Sequence, residues 1–333
     1  MRADTPLERL RAWMRTQGLE RIWVYLPENF AWLTGGENTL GMGDPVAWLE
    51  VAEEVRVHTS RIEQLRIPEE EARGLPVVTH PWETPPLLAR PNDLELDLTP
   101  LRLVLTPDTQ DNFRLLGREA ALATGEVVRE AKPEWREREL AGALAEALWG
   151  RGIRPLLLLV AGEERLFRYR HPLPKDRSLG RAFMAVVCGT RHGLVANLTR
   201  MAHFGGRPEI RGRYEKVLEV EAAALAASRP GVSLGEVFAV IQEAYAGAGF
   251  PEAWREHHQG GVGGYRSREV IATPGHDLRL EEGMILAWNP SLAGAKVEDT
   301  FLLLDGGLEN LTEDPHWPKV MVHGRARPAL LER

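Results

Sequence analysis

An α/β domain followed by a duplicated α+β domain is the fold class this sequence predicts, and three observations predict it. Strand-like and helix-like segments alternate through the first hundred or so residues, the apolar pattern beyond residue 112 repeats with an offset of 97, and each copy of the repeat runs into a pair of β-like segments led by a glycine. Two helix pairs backing onto strands from two similar halves predict one curved, mainly antiparallel sheet with helices on its convex face and a crevice between the halves. The length of 333 residues, at roughly 150 per domain, and an apolar content of 44% supply a core for each of two domains.

The N-terminal stretch MRADTPLERLRAWMRTQGL reads as an amphipathic helix without the apolar run of a secretory signal, so a cytoplasmic protein is expected. Arg21 to Leu26 reads as a strand, PENFAWLTGG follows it, and an apolar alternation spans Pro45 to Val57. Further β-like runs fall at Leu75 to Thr79 and Leu101 to Leu105. Pro/Asn/Asp-rich stretches at 81–98 and 107–112 punctuate them, the second marking a domain boundary. The expected division is an N-terminal domain 1–108, a duplicated domain 109–312 and an extension 313–333 with a β-like run from Lys319 to His323.

In the repeat, Phe113, Leu116, Ala120, Ala123, Val127 and Ala131 lie three or four apart, one face of a helix stopped at Pro133. Leu140, Leu144 and Leu148 carry a second helix to Gly150 and Gly152. The offset then finds Val217, Val220 and Ala224, the break at Pro230, a second helix through Glu236, Val237, Ile241 and Glu243, and glycines at 247 and 249. Gly180 leads into Phe183 to Val187 and His192 to Thr199; Gly283 leads into Met284 to Trp288 and Val297 to Leu304.

Forty-one basic against 48 acidic residues leave a formal charge of −7, and the isoelectric point is near 5.9, which excludes a phosphate-seeking surface and a nucleic-acid partner. The longest apolar run, Ala182 to Cys188, is far shorter than the roughly 20 residues a spanning helix needs, so no membrane segment is expected. Cys188, the one cysteine, sits inside that run and reads as a core thiol.

Polar groups gather in three places: Arg168-Tyr169-Arg170-His171-Pro172, the stretch from His257 to Glu269, and Lys296-Val297-Glu298-Asp299-Thr300. His171 titrates near neutrality and suits proton transfer, with the Arg-Tyr-Arg run before it able to orient an anion. His257 and His258 are adjacent, so on an extended segment they face opposite ways and at most one enters the crevice. Arg268 and Glu269 read equally as substrate contacts or as members of an ion pair. The GGVGG run lacks the strand-turn-helix setting of a dinucleotide site and reads as close backbone approach or a tight turn.

The run SLGRAFMAVVCGTRHGLVANLTRMAHFGG resembles the strand pair of the pita-bread superfamily of methionine aminopeptidase, aminopeptidase P, prolidase and creatinase. GGVGGYRSRE, LRLEEGMILAWNPS and KVEDTFLL resemble the rest of its signature, covering about 112 to 312, and PENFAWLTGG resembles the N-terminal domain of the prolidase and creatinase branches. Peptidases of this family bind two metal ions through two aspartates, a histidine and two glutamates. The resemblance puts Val186 and Asn197 at the aspartate positions, Gly261 at the histidine, and Asn289 and Glu298 at the glutamates. One carboxylate beside two amides and a valine is too poor a donor set for two divalent ions, so neither metal nor cofactor is expected.

Creatinase hydrolyses a C–N bond without metal, and His171 matches the position of its proton-shuttling histidine. Arg268-Glu269 stands where creatinase-like members carry Arg-Glu, and His257 has the spacing of a substrate-contacting histidine, which favours it over His258 as the one that enters the crevice. Asn289 replaces a creatinase glutamate, which keeps that enzyme's substrate from being carried over. Glu298 in the inward register needs a cationic or hydrogen-bonding neighbour, and Lys296 two residues earlier on the same strand face is a candidate. Asn197 and Asn289 are placed to bond a polar substrate or each other.

Three functions follow as alternatives. The first is a metal-independent hydrolase of a C–N bond in a small amino-acid-like or peptide-like substrate, with His171, His257 and Glu298 catalytic and His258, Arg268, Glu269, Lys296, Asn197 and Asn289 binding substrate. The second is an Xaa-Pro aminopeptidase or dipeptidase with a non-standard metal site involving Glu298 and His258. The third is an inactive ligand-binding pseudoenzyme. The resemblance also implies a homodimer.

Overall fold

The computed structural model describes residues 5–40, 45–84 and 88–333. The first four residues of the expected N-terminal helix and residues 85–87 of the Pro/Asn/Asp-rich stretch lie outside them. Two compact units divide the chain: one comprises Met1–Thr106 with Arg191–Leu194, the other Pro107–Thr190 with Val195–Arg333.

In the first unit, helix α1 (Pro6–Thr16) begins at a reciprocal cap: Thr5 Oγ1 accepts the Glu8 N–H at 3.2 Å and the Glu8 carboxylate accepts the Thr5 N–H at 2.7 Å. It buries Leu10 and Met14, four residues apart on one face. Strand β1 (Ile22–Val24), helix α2 (Pro27–Thr34) and strands β2 (Ala47–Val51), β3 (Val55–Ser60) and β4 (Val77–His80) follow. The sheet order is β1-β2-β3-β4, antiparallel except for the parallel β3–β4 pair. The Asp93 carboxylate, accepting from Tyr25 N–H, Leu26 N–H and Asn29 Nδ2, fixes the β1–α2 junction.

The expected strand at Leu101 to Leu105 is not formed; helix α3 (Thr99–Arg102) covers its start. Pro100 pre-sets a helical first turn, and Arg102 turns inward to donate to Asn29 Oδ1 at 2.7 Å, a burial that strand alternation does not provide.

The second unit opens with helices α4 (Pro107–Glu130) and α5 (Glu137–Trp149), then β5 (Arg154–Gly162), α6 (Glu163–Leu166), β6 (Ala182–Arg191) and β7 (Leu194–His203). Helices α7 (Pro208–Ala227) and α8 (Leu234–Gly247) repeat the first pair. They are followed by β8 (Gly260–Gly263), β9 (Val270–Ile271), β10 (Ile285–Trp288), β11 (Ser291–Leu292), β12 (Ala295–Lys296), β13 (Asp299–Leu304) and β14 (Gly307–Asn310). The stretch 107–112, read as a boundary, opens α4, and the second unit begins at the same residue, Pro107. The offset reaches the caps: Glu139 accepts the N–H of Arg136 at 2.5 Å and Glu236 that of Ser233 at 2.7 Å, and Gly152 and Gly249, both at positive φ, end the two helix pairs.

The strands form one sheet in the order β14-β13-β10-β8-β9 and, with β17 (Leu331–Glu332), another in the order β17-β7-β6-β5. Thr199 N–H donates to Glu298 O and Val195 N–H to Gly264 O, both at 2.9 Å, stitching the two sheets together. The second strand of the first pair starts at Leu194 rather than His192: His192 and Gly193, both at positive φ, make the two-residue turn of the β6–β7 hairpin. The segment after 313 belongs to this unit, with a hairpin of β15 (Lys319–Val322) and β16 (Arg325–Pro328) before β17 pairs in parallel with β7. Among the described residues, no helix is long and apolar enough to cross a membrane.

Candidate active site

Glu298 and Asp299 are consecutive at the entry to β13 and their side chains part to opposite faces. Asp299 turns into the core, where it meets Arg200 Nη1 at 2.9 Å, Arg327 Nη2 at 2.8 Å and the Thr312 hydroxyl at 2.8 Å. Glu298 turns into a cavity of about 90 Å³, several times the space one water needs. Its Oε1 accepts Arg268 Nη2 at 2.7 Å; its Oε2 lies 3.1 Å from Lys296 Nζ and 3.1 Å from the Thr199 hydroxyl. Burial by itself would raise this carboxyl's pKa, but Lys296 and then Arg268 outweigh it and bring the value down to about 2. Arg268 thus pairs with Glu298 rather than with its sequence neighbour.

Glu269, expected at the substrate, is not among the cavity's lining residues; its Oε1 accepts the Tyr265 N–H at 2.9 Å and shapes the turn after β8. Asn197 and Asn289 do line the cavity and do not bond each other. Asn197 Nδ2 points at Val195 O and Ser267 O, at 3.3 and 3.4 Å, while Oδ1 of both amides is buried without a hydrogen-bond partner. Two acceptors held this way are ready for a donor on a ligand.

His257 to Gln259 are fixed from beneath by α8. The Tyr245 hydroxyl lies 2.9 Å from Gln259 Oε1 and accepts the Ser291 N–H at 2.8 Å, Gln259 Nε2 donates to Trp254 O at 3.0 Å, and Asn289 N–H donates to Gln259 O at 3.0 Å. The expectation that His257 and His258 face opposite ways is overturned: their rings stack with centroids 4.4 Å apart at 26°. A bond from His257 Nδ1 to the His258 carbonyl oxygen folds the first ring back over the second. His257 Nε2 then lies 2.9 Å from Nε2 of His171, which sits on the segment between α6 and β6; His171 and His258 line the cavity, whereas His257, expected to be the one that enters it, stands behind them.

The proton positions follow from these partners. A carbonyl only accepts, so His257 Nδ1 carries the hydrogen; burial and then Lys296 push this ring's pKa down to about 3, so it is neutral and its Nε2 is a lone pair. His171 Nε2 must therefore donate to it, leaving His171 Nδ1 as the free base. Burial, then Lys296, also hold His171 below its ordinary value, and burial, then Arg268, push His258 down to about 4.

Sequence reasoning missed Leu157, Leu159, Cys188 and Ser267 as cavity walls. Strand alternation carried the signal for Cys188, two residues from Val186, and the register pairs Leu159 with Val186 and Leu157 with Cys188. Burial pushes the Cys188 thiol up to about 11, so it stays protonated.

Residues 111–305, more than half of the chain, match the model of metallopeptidase family M24. The chain belongs to that family. Among curated relatives, the probable dipeptidase PepE of Mycobacterium tuberculosis is 25% identical over 65% of this chain and 60% of its own, and the Xaa-Pro dipeptidase of Lactobacillus helveticus is 29% identical over 37% and 36%. An uncharacterized peptidase of Staphylococcus epidermidis is 26% identical over 43% of each chain, so the chain spans from about a third to three fifths of the length of these relatives. Solved structures share the fold: a recombinant prolidase from Thermococcus sibiricus has a TM-score of 0.80 at 19% identity and full coverage of both chains, and the prolidase from Pyrococcus furiosus one of 0.76 at 20% identity, covering 92% of this chain and 99% of its own. The fold is thus an α/β N-terminal domain followed by a pita-bread domain, and the family one of hydrolases.

The two-ion site that the family resemblance implies does not fit this M24 chain's residues. Val186 offers no donor, Asn197 and Asn289 offer neutral oxygens, and the Glu298 carboxylate already holds a cation on each oxygen. Position 261 is closed to any ligand side chain: Gly261 has φ +150°, and a Cβ there would lie 2.2 Å from Val270 O.

Proposed function

We propose that this M24 chain hydrolyses a C–N bond of a small amino-acid-like or peptide-like substrate without the family's metal pair, using His171 as acid and base. The observation that carries the reading is the Glu298 carboxylate, where Arg268 and Lys296 each take one oxygen. Two fixed cations then face the cavity beside two unpaired amide oxygens and an imidazole, an arrangement suited to an anionic or oxyanionic group and a hydrogen-bond donor on one small molecule. His171 Nδ1 takes a proton from water as the oxygen attacks the substrate carbon. The charge that develops on the substrate oxygen is met by Lys296 and Arg268, and the proton passes from His171 to the leaving nitrogen as the C–N bond breaks. His257 fixes the His171 tautomer and is a positioning residue in this scheme. A homodimer in the cytoplasm belongs to the same proposal.

The relatives named as dipeptidases and Xaa-Pro dipeptidases make dipeptides, including Xaa-Pro, the first substrates to test. Turnover is expected to persist in excess chelator and to fall by about 10²–10⁴-fold in His171→Ala with KM little changed. Unchanged turnover in that variant, or activity abolished by chelator and restored by metal, overturns the reading. Saturable ligand binding without product over long incubation favours the pseudoenzyme, supported by the unpaired oxygens of Asn197 and Asn289.

A further inference from the structure

His171, His257 and His258 bring three imidazoles to one point: a ring nitrogen from each lies within 4.8 Å of the other two. These positions are distinct from those at which the family resemblance places metal ligands. From this convergence we infer a second, single-cation site, in which the three histidines bind one first-row transition-metal dication of the zinc type and, by doing so, switch off the proton transfer assigned to His171.

The three rings must shift to close on one ion. The two Nε2 atoms of His171 and His257 are 2.9 Å apart, whereas zinc–nitrogen bonds of about 2.0–2.1 Å at tetrahedral angles set nitrogens about 3.4 Å apart. His171 is partly exposed and sits on an irregular segment, so its ring has room to open by that half ångström, and the nitrogens that lie as far as 4.8 Å apart have to close by about 1.4 Å. His258 has a nitrogen to offer: its Nδ1 is buried without a hydrogen-bond partner, an omission a metal bond to that atom would remove. His257 Nδ1 on the His258 carbonyl supplies the outer hydrogen bond that orients ligand imidazoles in zinc sites, and leaves Nε2 as the donor. Three neutral nitrogens and an open fourth position match the donor set of a mononuclear zinc site. The cations whose charge is felt at these rings, Lys296 and Arg268, are both paired with Glu298.

The consequence rests on the hydrolase reading. Coordination through His171 Nε2 moves that ring's proton to Nδ1, the nitrogen the proposed reaction needs as a base. Metal at this site therefore inhibits, opposite in sign to the metal requirement of the family's peptidases.

The test uses the full chain stripped of metal and titrated with Co²⁺ and Zn²⁺ in equilibrium dialysis, with the cobalt visible spectrum reporting coordination. One equivalent is expected, with a low-symmetry cobalt spectrum that Zn²⁺ bleaches. His258→Ala and, separately, His257→Ala, each checked for native circular dichroism, weaken binding at least about tenfold, whereas Asn289→Ala, at a position of the family's pair, leaves it unchanged. Absence of stoichiometric binding, or binding that survives both histidine variants or is lost with Asn289, overturns the site. Turnover is then compared with and without one equivalent of Zn²⁺. Stoichiometric binding to a chain with no turnover removes the hydrolase reading and leaves the cation site standing; turnover in a chain that binds no metal does the reverse; and undiminished turnover at full zinc occupancy overturns the inhibition.

Discussion

Glu298 shows how one side chain can stand on two cations. Its carboxylate is 3% exposed and its hydrogen-bonding is shared among Arg268, Lys296 and Thr199, so removing its charge strands two buried cations. Leaving a buried ion without its partner costs about 3–5 kcal/mol, and Glu298→Gln is expected to lower unfolding stability by that order, measured by denaturant titration. A change under 1 kcal/mol contradicts the pairing. The Lys296–Glu298 contact was legible in the sequence, because residues two apart on a strand share a face. Arg268 was not assignable: its nearest acid in sequence is Glu269, and only the fold brings Glu298, thirty residues away, to its guanidinium. The stacking of His257 and His258 was equally hidden, since alternation describes an extended chain and says nothing of a ring bonded to the next residue's carbonyl.

The repeated helix pairs and the glycine strand are governed by local rules at the next scale. Ser233 caps α8 by accepting the Glu236 N–H at 3.2 Å while Glu236 reaches back to the Ser233 N–H, so Ser233→Ala should cost about 1 kcal/mol in thermal or chemical unfolding. Strand β8 is bound by a sharper constraint. Gly261 is enclosed by β10 and β9, and Gly261→Ala combines a disfavoured φ with a methyl group pressed on a carbonyl oxygen. A loss of at least about 2 kcal/mol is expected, and a neutral result would show that β8 and β9 are less closely apposed. Periodicity located both helix pairs to within a few residues because each buries a continuous apolar face, Phe113 to Val127 in α4 and Val237 with Ile241 in α8. It failed at Leu101 to Leu105, where a short apolar run obeys either period and Pro100 with the Arg102–Asn29 bond selected the helix.

For the molecule as a whole, acid acts through groups held away from their unfolded pKa values. His58, His171, His203, His257 and His258 are all held below the ordinary histidine value, each chiefly by burial. The unfolded chain then binds more protons than the folded one as pH falls below about 6.5, so stability is complete above that pH and declines towards the lower folded values. Glu298 acts in the same direction over a lower range, its contribution present above about 4.5 and lost as pH falls towards about 2. Asp93 and Glu221, whose pKa values burial raises, pull the other way; with five histidines against them, the denaturation midpoint is expected to fall from pH 7 to pH 4, and His257→Asn or His258→Asn to flatten that slope, whereas a midpoint constant across this range contradicts it.

The sequence by itself determined the duplicated architecture and the family resemblance, because periodicity, caps and spacing are written along the chain. Tertiary structure alone decided which charges meet: that Glu298 holds both Arg268 and Lys296, that Glu269 serves a turn, and that three imidazoles share one point. Local patterns follow from neighbours in sequence, whereas a buried charge or a lone pair is satisfied by whatever the closed fold sets beside it.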